Sequence, residues 1–138
     1  QQGGSLVIDP DNARRYLPLV LFVETVDPTR AATLYRRLYP LFQQAYRELG
    51  YPRGHFNDRL VEVIDHLLRT PQVEEPIELT LVEIKGPYAS AAPWLNYEFA
   101  DPALQSLSAG QRALLRAGVV NQRRLLTWLA ALRSQIAR

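Results

Sequence analysis

His55, Glu62 and His66 stand seven and four residues apart, a spacing that brings their side chains to one face of a helix. Imidazole and carboxylate are ligands for a divalent transition metal. Side chains at i and i+4 meet, so Glu62 and His66 are the pair that would chelate, with His55 as a third ligand further along the same face. That face lies opposite an apolar stripe of Phe56, Leu60, Val63, Ile64, Leu67 and Leu68, and a solvated polar face is the ordinary consequence of such a pattern. Asp58, Glu62 and Asp65 could divide acid and base roles, but nothing in the sequence builds a pocket that would tune them. Ser5, Ser90, Ser106, Ser108 and Ser134 all lie outside any nucleophile elbow, and the chain has no glycine-rich phosphate loop. With no cysteine, thiolate nucleophiles, thiolate metal sites and disulfides are excluded. A metal-dependent enzyme built on His55, Glu62 and His66 is therefore the third of three readings, and no cofactor is implied.

Two other groups of residues suit binding rather than catalysis. Tyr88, Trp94 and Tyr97 flank an Ala/Ser/Pro segment, and large aromatic side chains on a loop are common anchors for a partner. They suit equally a loop folded back over the core. The second group is basic. Residues 1–101 carry ten Lys/Arg and all fourteen Asp/Glu, a net of −4, whereas residues 102–138 carry six arginines and no acid. Those are Arg112, Arg116, Arg123, Arg124, Arg133 and Arg138. Such a segment can meet an anionic polymer, an anionic lipid or an acidic protein, or it can pack across the acidic part of its own chain. No recognised nucleic-acid module accompanies it.

The elements that must position these groups are mostly helical. The segment Asp27–Pro71 is the centre of the expected fold. On a helical wheel Leu34, Leu38, Leu41 and Ala45 share one line, and Tyr35, Tyr39, Phe42 and Tyr46 share the adjacent one, with Leu49 between. Arg36, Arg37, Gln43, Gln44, Arg47 and Glu48 take the other side. An apolar sector wider than the ~100° of a surface helix predicts a hub touching neighbours on both flanks. Asp27 and Pro28 read as its start, and Gly50 with Pro52 as its stop. Pro40 predicts a kink.

Upstream, Asp9-Pro10-Asp11-Asn12 signals a first helix, which Pro18 should break in two. A third helix should open at Gly54 or Asn57 and end near Arg69. The β-branched run at about 77–84 and the alternation at 95–99 predict one antiparallel ribbon, with a bulge at Leu81-Val82. Asp101-Pro102 caps a short turn, Ser108 and Gln111 form a capping box, and Gly118 ends the helix they open. Leu125, Trp128, Leu129, Leu132 and Ile136 then line one face of the last helix, with Asn121 in line and Arg123 and Arg124 pointing away.

At 138 residues the chain has the length of one domain with a real core, and its longest apolar run is too short to span a membrane. Residues 1–5 read as linker or cloning remnant, leaving 6–138 as the domain. The sequence contains no methionine, as expected of a processed or excised part of a longer protein. The stretches RYLPLV, LYRRLYPLFQQAYRELGYP, FNDRLVEVIDHLLRTP, PIEL, YEFADPALQSLSAGQRALLRAG and NQRR resemble the domain of unknown function 3014 family of bacterial, mostly proteobacterial, proteins. The resemblance runs in order from about Asp9 to Arg133. It differs from the family at Ala117, where methionine is usual, at Val119 and Val120, where a proline and an acid are common, and in the longer loop KGPYASAAPW. The family has no established activity, so the resemblance carries over no catalytic residue. It implies a C-terminal soluble region facing the periplasm, tethered to the inner membrane by an anchor N-terminal to this chain, with another envelope protein as partner.

The expectation is thus a mainly α protein: a compact bundle of five to six helices around a kinked central helix at about 28–49, with one small antiparallel β-ribbon. Its first functional reading is a non-catalytic binding or assembly module of the bacterial envelope, with Tyr88, Trp94, Arg112, Arg116, Arg123 and Arg124 as candidate contacts. The second is a binder of an anionic partner through the arginine-rich C-terminal helices.

Overall fold

A computed structural model describes residues 6–9, 11–74, 76–81 and 97–137, with residues 81 and 97 described by their backbone alone. Among these are six helices and three short strands: β1 (Leu6–Val7), α1 (Asn12–Glu24), α2 (Pro28–Glu48), α3 (Phe56–Leu68), β2 (Glu78–Leu81), β3 (Tyr97–Phe99), α4 (Pro102–Gln105), α5 (Ala109–Ala117) and α6 (Val119–Ile136).

The helix starts follow local chemistry. The Asp27 carboxylate accepts the Thr29 N–H at 3.1 Å and Pro28 takes the first helical position; Asp101 does the same for Ala103 at 2.9 Å. Ser108 accepts the Gln111 N–H at 3.2 Å while the Gln111 side chain accepts the Ser108 N–H at 3.3 Å, completing the capping box. Gly118 closes α5 with φ +90°, and a Cβ there would stand 3.0 Å from the Cβ of Ala13, so the tight α5–α6 joint needs glycine on both counts. α1 begins later than its capping acid suggested: Asp9 accepts the Asp11 N–H at 2.9 Å and the helix opens at Asn12.

One expectation about proline is corrected: Pro18 lies inside α1 without dividing it. Pro40 lies inside α2, which runs as one helix over nearly the expected span. A proline costs about 3 kcal/mol in a helix interior. In α1 that cost is opposed by tertiary anchors at both ends: Asn12 donates to the Arg116 carbonyl at 3.0 Å, and Glu24 pairs with Arg124.

The larger correction concerns the hub. Helices α1, α2, α3 and α5 all pack on α6, so the C-terminal helix and not α2 is the centre of the bundle. α1 lies along the first half of α6, where Asn121 donates to the Ala13 carbonyl at 2.8 Å and the Trp128 indole donates to the Val26 carbonyl at 2.8 Å. α2 takes over along the second half, with Arg36 donating to the Gln135 carbonyl. α3 runs back antiparallel, from Asn57 beside Ile136 to Thr70 and Pro71 beside Gln122. The main apolar cluster joins Ala32, Ile64 and Ile136, with Tyr35, Leu60, Leu129 and Leu132 against it.

The ribbon is antiparallel as expected, pairing Leu79 with Phe99, Thr80 with Glu98 and Leu81 with Tyr97. β1 adds a third strand on the other edge of β2, Leu6 opposite Leu79 and Val7 opposite Glu78. Val82, and with it the expected bulge at Leu81-Val82, lies outside the described residues, as do the outer ribbon residues. Ile77, Phe99 and Leu115 are buried together between sheet and α5, with Ile8, Leu104 and Leu107 packed on them.

Candidate functional site

The histidine and carboxylate face of α3 does not assemble a metal site. His66 Nε2 lies 2.7 Å from Ser108 Oγ, and Glu62 turns to Arg59 at 3.2 Å. His55 sits just before the helix without capping it. No group of three or more His, Asp or Glu side chains converges among the described residues as a metal would require. The Ser108 hydroxyl already accepts the Gln111 N–H, so its pairing with His66 joins α3 to the start of α5 rather than freeing a nucleophile.

The arginines of the C-terminal helices are drawn back to the acidic part of the chain. Arg123 pairs with Glu74 and donates to Gln72 at 3.1 Å. Arg124 grips Glu24, and Arg133 grips Asp65 through two nitrogens. The hydrogen bond from Arg133 holds the Asp65 carboxyl below its ordinary range, and the bond to Glu24 raises the Arg124 guanidinium above its own. Arg116 lies over the Phe99 ring, 5.2 Å from its centroid. Arg112 has its Nε buried without a hydrogen-bond partner. A basic surface for an anionic partner needs these cations pointing outward. Three are engaged with carboxylates of the chain itself, which removes the main support for that reading. Tyr88, Trp94 and Arg138 lie outside the described residues.

A cleft of about 360 Å³ opens where α2, the start of α3 and the end of α6 meet, lined by Tyr35, Arg36, Tyr39, His55, Asn57 and Asp58, with Ile136. The tyrosine and amide groups at its centre satisfy one another. The Tyr35 hydroxyl donates to Asn57 Oδ1 at 2.9 Å, and Asn57 Nδ2 donates to the Ile136 carbonyl at 3.0 Å. The Asn57 N–H donates to the Tyr39 hydroxyl at 3.1 Å, which donates in turn to Gln43 Oε1 at 2.9 Å. Gln43, expected on the polar side, is buried; it also accepts the Phe56 N–H and donates to the Gly54 carbonyl, both at 2.8 Å. Burial, and after it the neighbouring Tyr39, pushes the Tyr35 phenol up to about 12. This network fixes the α2–α3 hairpin to the end of α6.

What remains unpartnered is the other apolar edge of α2. Only the tyrosine edge is covered by the fold. Leu34, Leu41 and Leu49 are 54%, 63% and 77% exposed, and Leu38, Phe42 and Ala45 are exposed beside them. The hairpin tip extends this surface, where Tyr51 is exposed and stacks on Tyr46 with centroids 4.6 Å apart, and Phe42 stacks on Phe56 at 5.6 Å. The wheel had marked these leucines as core. The apolar sector is wider than the ~100° of a surface helix, and the fold covers only part of it.

The family model described as "Protein of unknown function (DUF3014)" matches residues 1–133. The chain belongs to that family. No curated protein and no solved structure matches it. In this DUF3014 chain no described helix is long and apolar enough to cross a membrane. The outward edge of α2 is an exposed apolar feature of its described surface, and Leu19, Leu21 and Phe22 of α1 are exposed as well.

Proposed function

We propose that this DUF3014 chain is a non-catalytic binding or assembly module of the bacterial envelope, facing the periplasm and tethered to the inner membrane through a segment N-terminal to it. The observation that carries the binding role is the apolar edge of α2, exposed along Leu34, Leu38, Leu41 and Leu49. A contiguous exposed apolar patch on a soluble fold marks an interaction surface. Each leucine covered there would contribute roughly 1.5–3 kcal/mol of burial, enough for several to hold a partner. The envelope location rests on the resemblance alone.

The test is site-specific photo-crosslinking in the native cell, with the probe at Leu34 or Leu41 and a control probe at the exposed Arg14 of α1. Discrete adducts from α2 and none from Arg14 are expected. Equal, diffuse labelling from both would refute the binding surface. Protease protection of the chain in intact cells, lost when the outer membrane is opened, is the expected sign of its periplasmic location.

A further inference from the structure

The outward edge of α2 carries a heptad. Ala31, Leu34, Leu38, Leu41, Ala45 and Glu48 follow one another at intervals of three and four, the a and d positions of a helix that packs on another helix. Arg30, Arg37 and Gln44 occupy g, and Phe42 and Leu49 occupy e. We propose that two copies of this chain pair antiparallel along α2, which rests on the reading of that face as a binding surface and names its occupant.

The sequence of the seam favours this occupant. In an antiparallel pair a positions meet d positions, so Leu38 packs on Leu41 of the second copy and Leu34 on Ala45, large against small at the ends and leucine against leucine at the centre. Glu48 then falls opposite Ala31, beside Arg30 of the second copy. Among the described residues neither Arg30 nor Arg37 has a carboxylate within salt-bridge distance, and Glu48 holds only the Gln44 amide, at 3.1 Å. The contact is isologous and closes as a two-fold dimer. A parallel pair would instead set Glu48 against Glu48 and the arginines against Tyr35 and Phe42, with no acid to meet them. The covered tyrosine edge keeps each α2 fixed on its own α6, so the leucine edge is presented on a rigid rod.

The wild-type chain should sediment as a reversible dimer. Leu41→Glu, at a position already open to water, should weaken the dimer about tenfold or more and leave the helical circular dichroism unchanged. Because the chain has no cysteine, register can be read directly. Mixed Leu38→Cys and Leu41→Cys chains should yield mainly the mixed disulfide under mild oxidation. A wild-type monomer at every concentration overturns the proposal. So does a predominance of Leu38→Cys or Leu41→Cys homodisulfides, which would mean a parallel pair, and so does a dimer indifferent to Leu41→Glu. A monomeric chain whose Leu41 probe still gives discrete adducts with another envelope protein overturns self-pairing while the binding role survives. Failure of both experiments removes both.

Discussion

Replacing Gln122 by leucine tests whether α6 is the centre of the fold. Gln122 is the largest fully buried side chain among the described residues, 1% exposed, and its amide donates to the Pro71 carbonyl at 3.1 Å and the Thr70 carbonyl at 3.3 Å. Those carbonyls follow the end of α3, where the chain turns towards the sheet and no further helical N–H can reach them. Leucine has nearly the same volume, so packing changes little and the loss is polar. Each carbonyl left without its donor in a buried site costs about 1–3 kcal/mol. Both bonds are on the long side, and leucine recovers some burial, so the net expected loss is about 2–3 kcal/mol. Urea unfolding followed by circular dichroism at 25 °C measures it, with the slope unchanged because the native fold is kept. Gln122→Glu should cost more at neutral pH, because a carboxylate faces two carbonyls, and should recover towards acid as the protonated form regains a donor. A loss below about 0.5 kcal/mol for Gln122→Leu, the range of an indifferent surface change, would refute the reasoning and with it the placement of α6 at the hub.

Gly118→Ala should lower stability by about 1–3 kcal/mol, since alanine at φ +90° is strained and its Cβ meets Ala13; a shift in urea midpoint near zero would mean that the α5–α6 joint is free to relax. Tyr35 gives a pH dependence with a definite sign. Its folded value lies near 12, above the ordinary 10.0, so it favours the folded state fully below pH 10, and that contribution is lost as pH rises towards 12. Tyr35→Phe should flatten the alkaline limb of the stability curve in that window, and phenolate absorbance should show one fewer late-titrating tyrosine; an unchanged alkaline limb would contradict the buried setting of that hydroxyl.

How much of this was legible in the sequence depended on the range of the interactions. The caps at Asp27, Asp101 and Ser108 and the break at Gly118 were readable because each is decided within a few residues. The ribbon was readable from alternation, but β1 was not, because two residues, Leu6 and Val7, carry no period. The hub was misplaced for a physical reason. A helix surrounded by four others has no single apolar stripe, and the face of α6 includes Asn121 and Gln122, whose amides reach carbonyls of Ala13, Thr70 and Pro71. Periodicity counts such residues as polar, although their partners, far off in sequence, make them interior. Gln43 was misassigned in the same way. α2, by contrast, has a broad apolar sector of which its own fold covers only the tyrosine side, leaving Leu34, Leu41 and Leu49 exposed. For the candidate contacts, the sequence could name arginines but not their partners, and Glu24, Glu74 and Asp65 lie 49 to 100 residues away from them.

The division of α2 into two edges follows from what each edge demands. The hydroxyls of Tyr35 and Tyr39 must find partners to be covered, and Asn57 and Gln43 supply them at fixed geometry, so this edge fits one neighbour only. The leucine edge demands only the exclusion of water and can wait for a partner to provide it. The two edges should therefore differ sharply when truncated. Tyr39→Phe leaves the Asn57 N–H without its acceptor and takes one of two donors from Gln43 Oε1, which keeps the Phe56 N–H, and should lower stability by about 1–3 kcal/mol. Leu41→Ala, measured at concentrations where the chain is monomeric, should change it by less than about 0.5 kcal/mol although it removes far more apolar surface. Urea unfolding of both variants gives the comparison. If Leu41→Ala proved the more damaging, the leucine edge would belong to the interior of the single chain, and α2 would have no surface left to offer a second one.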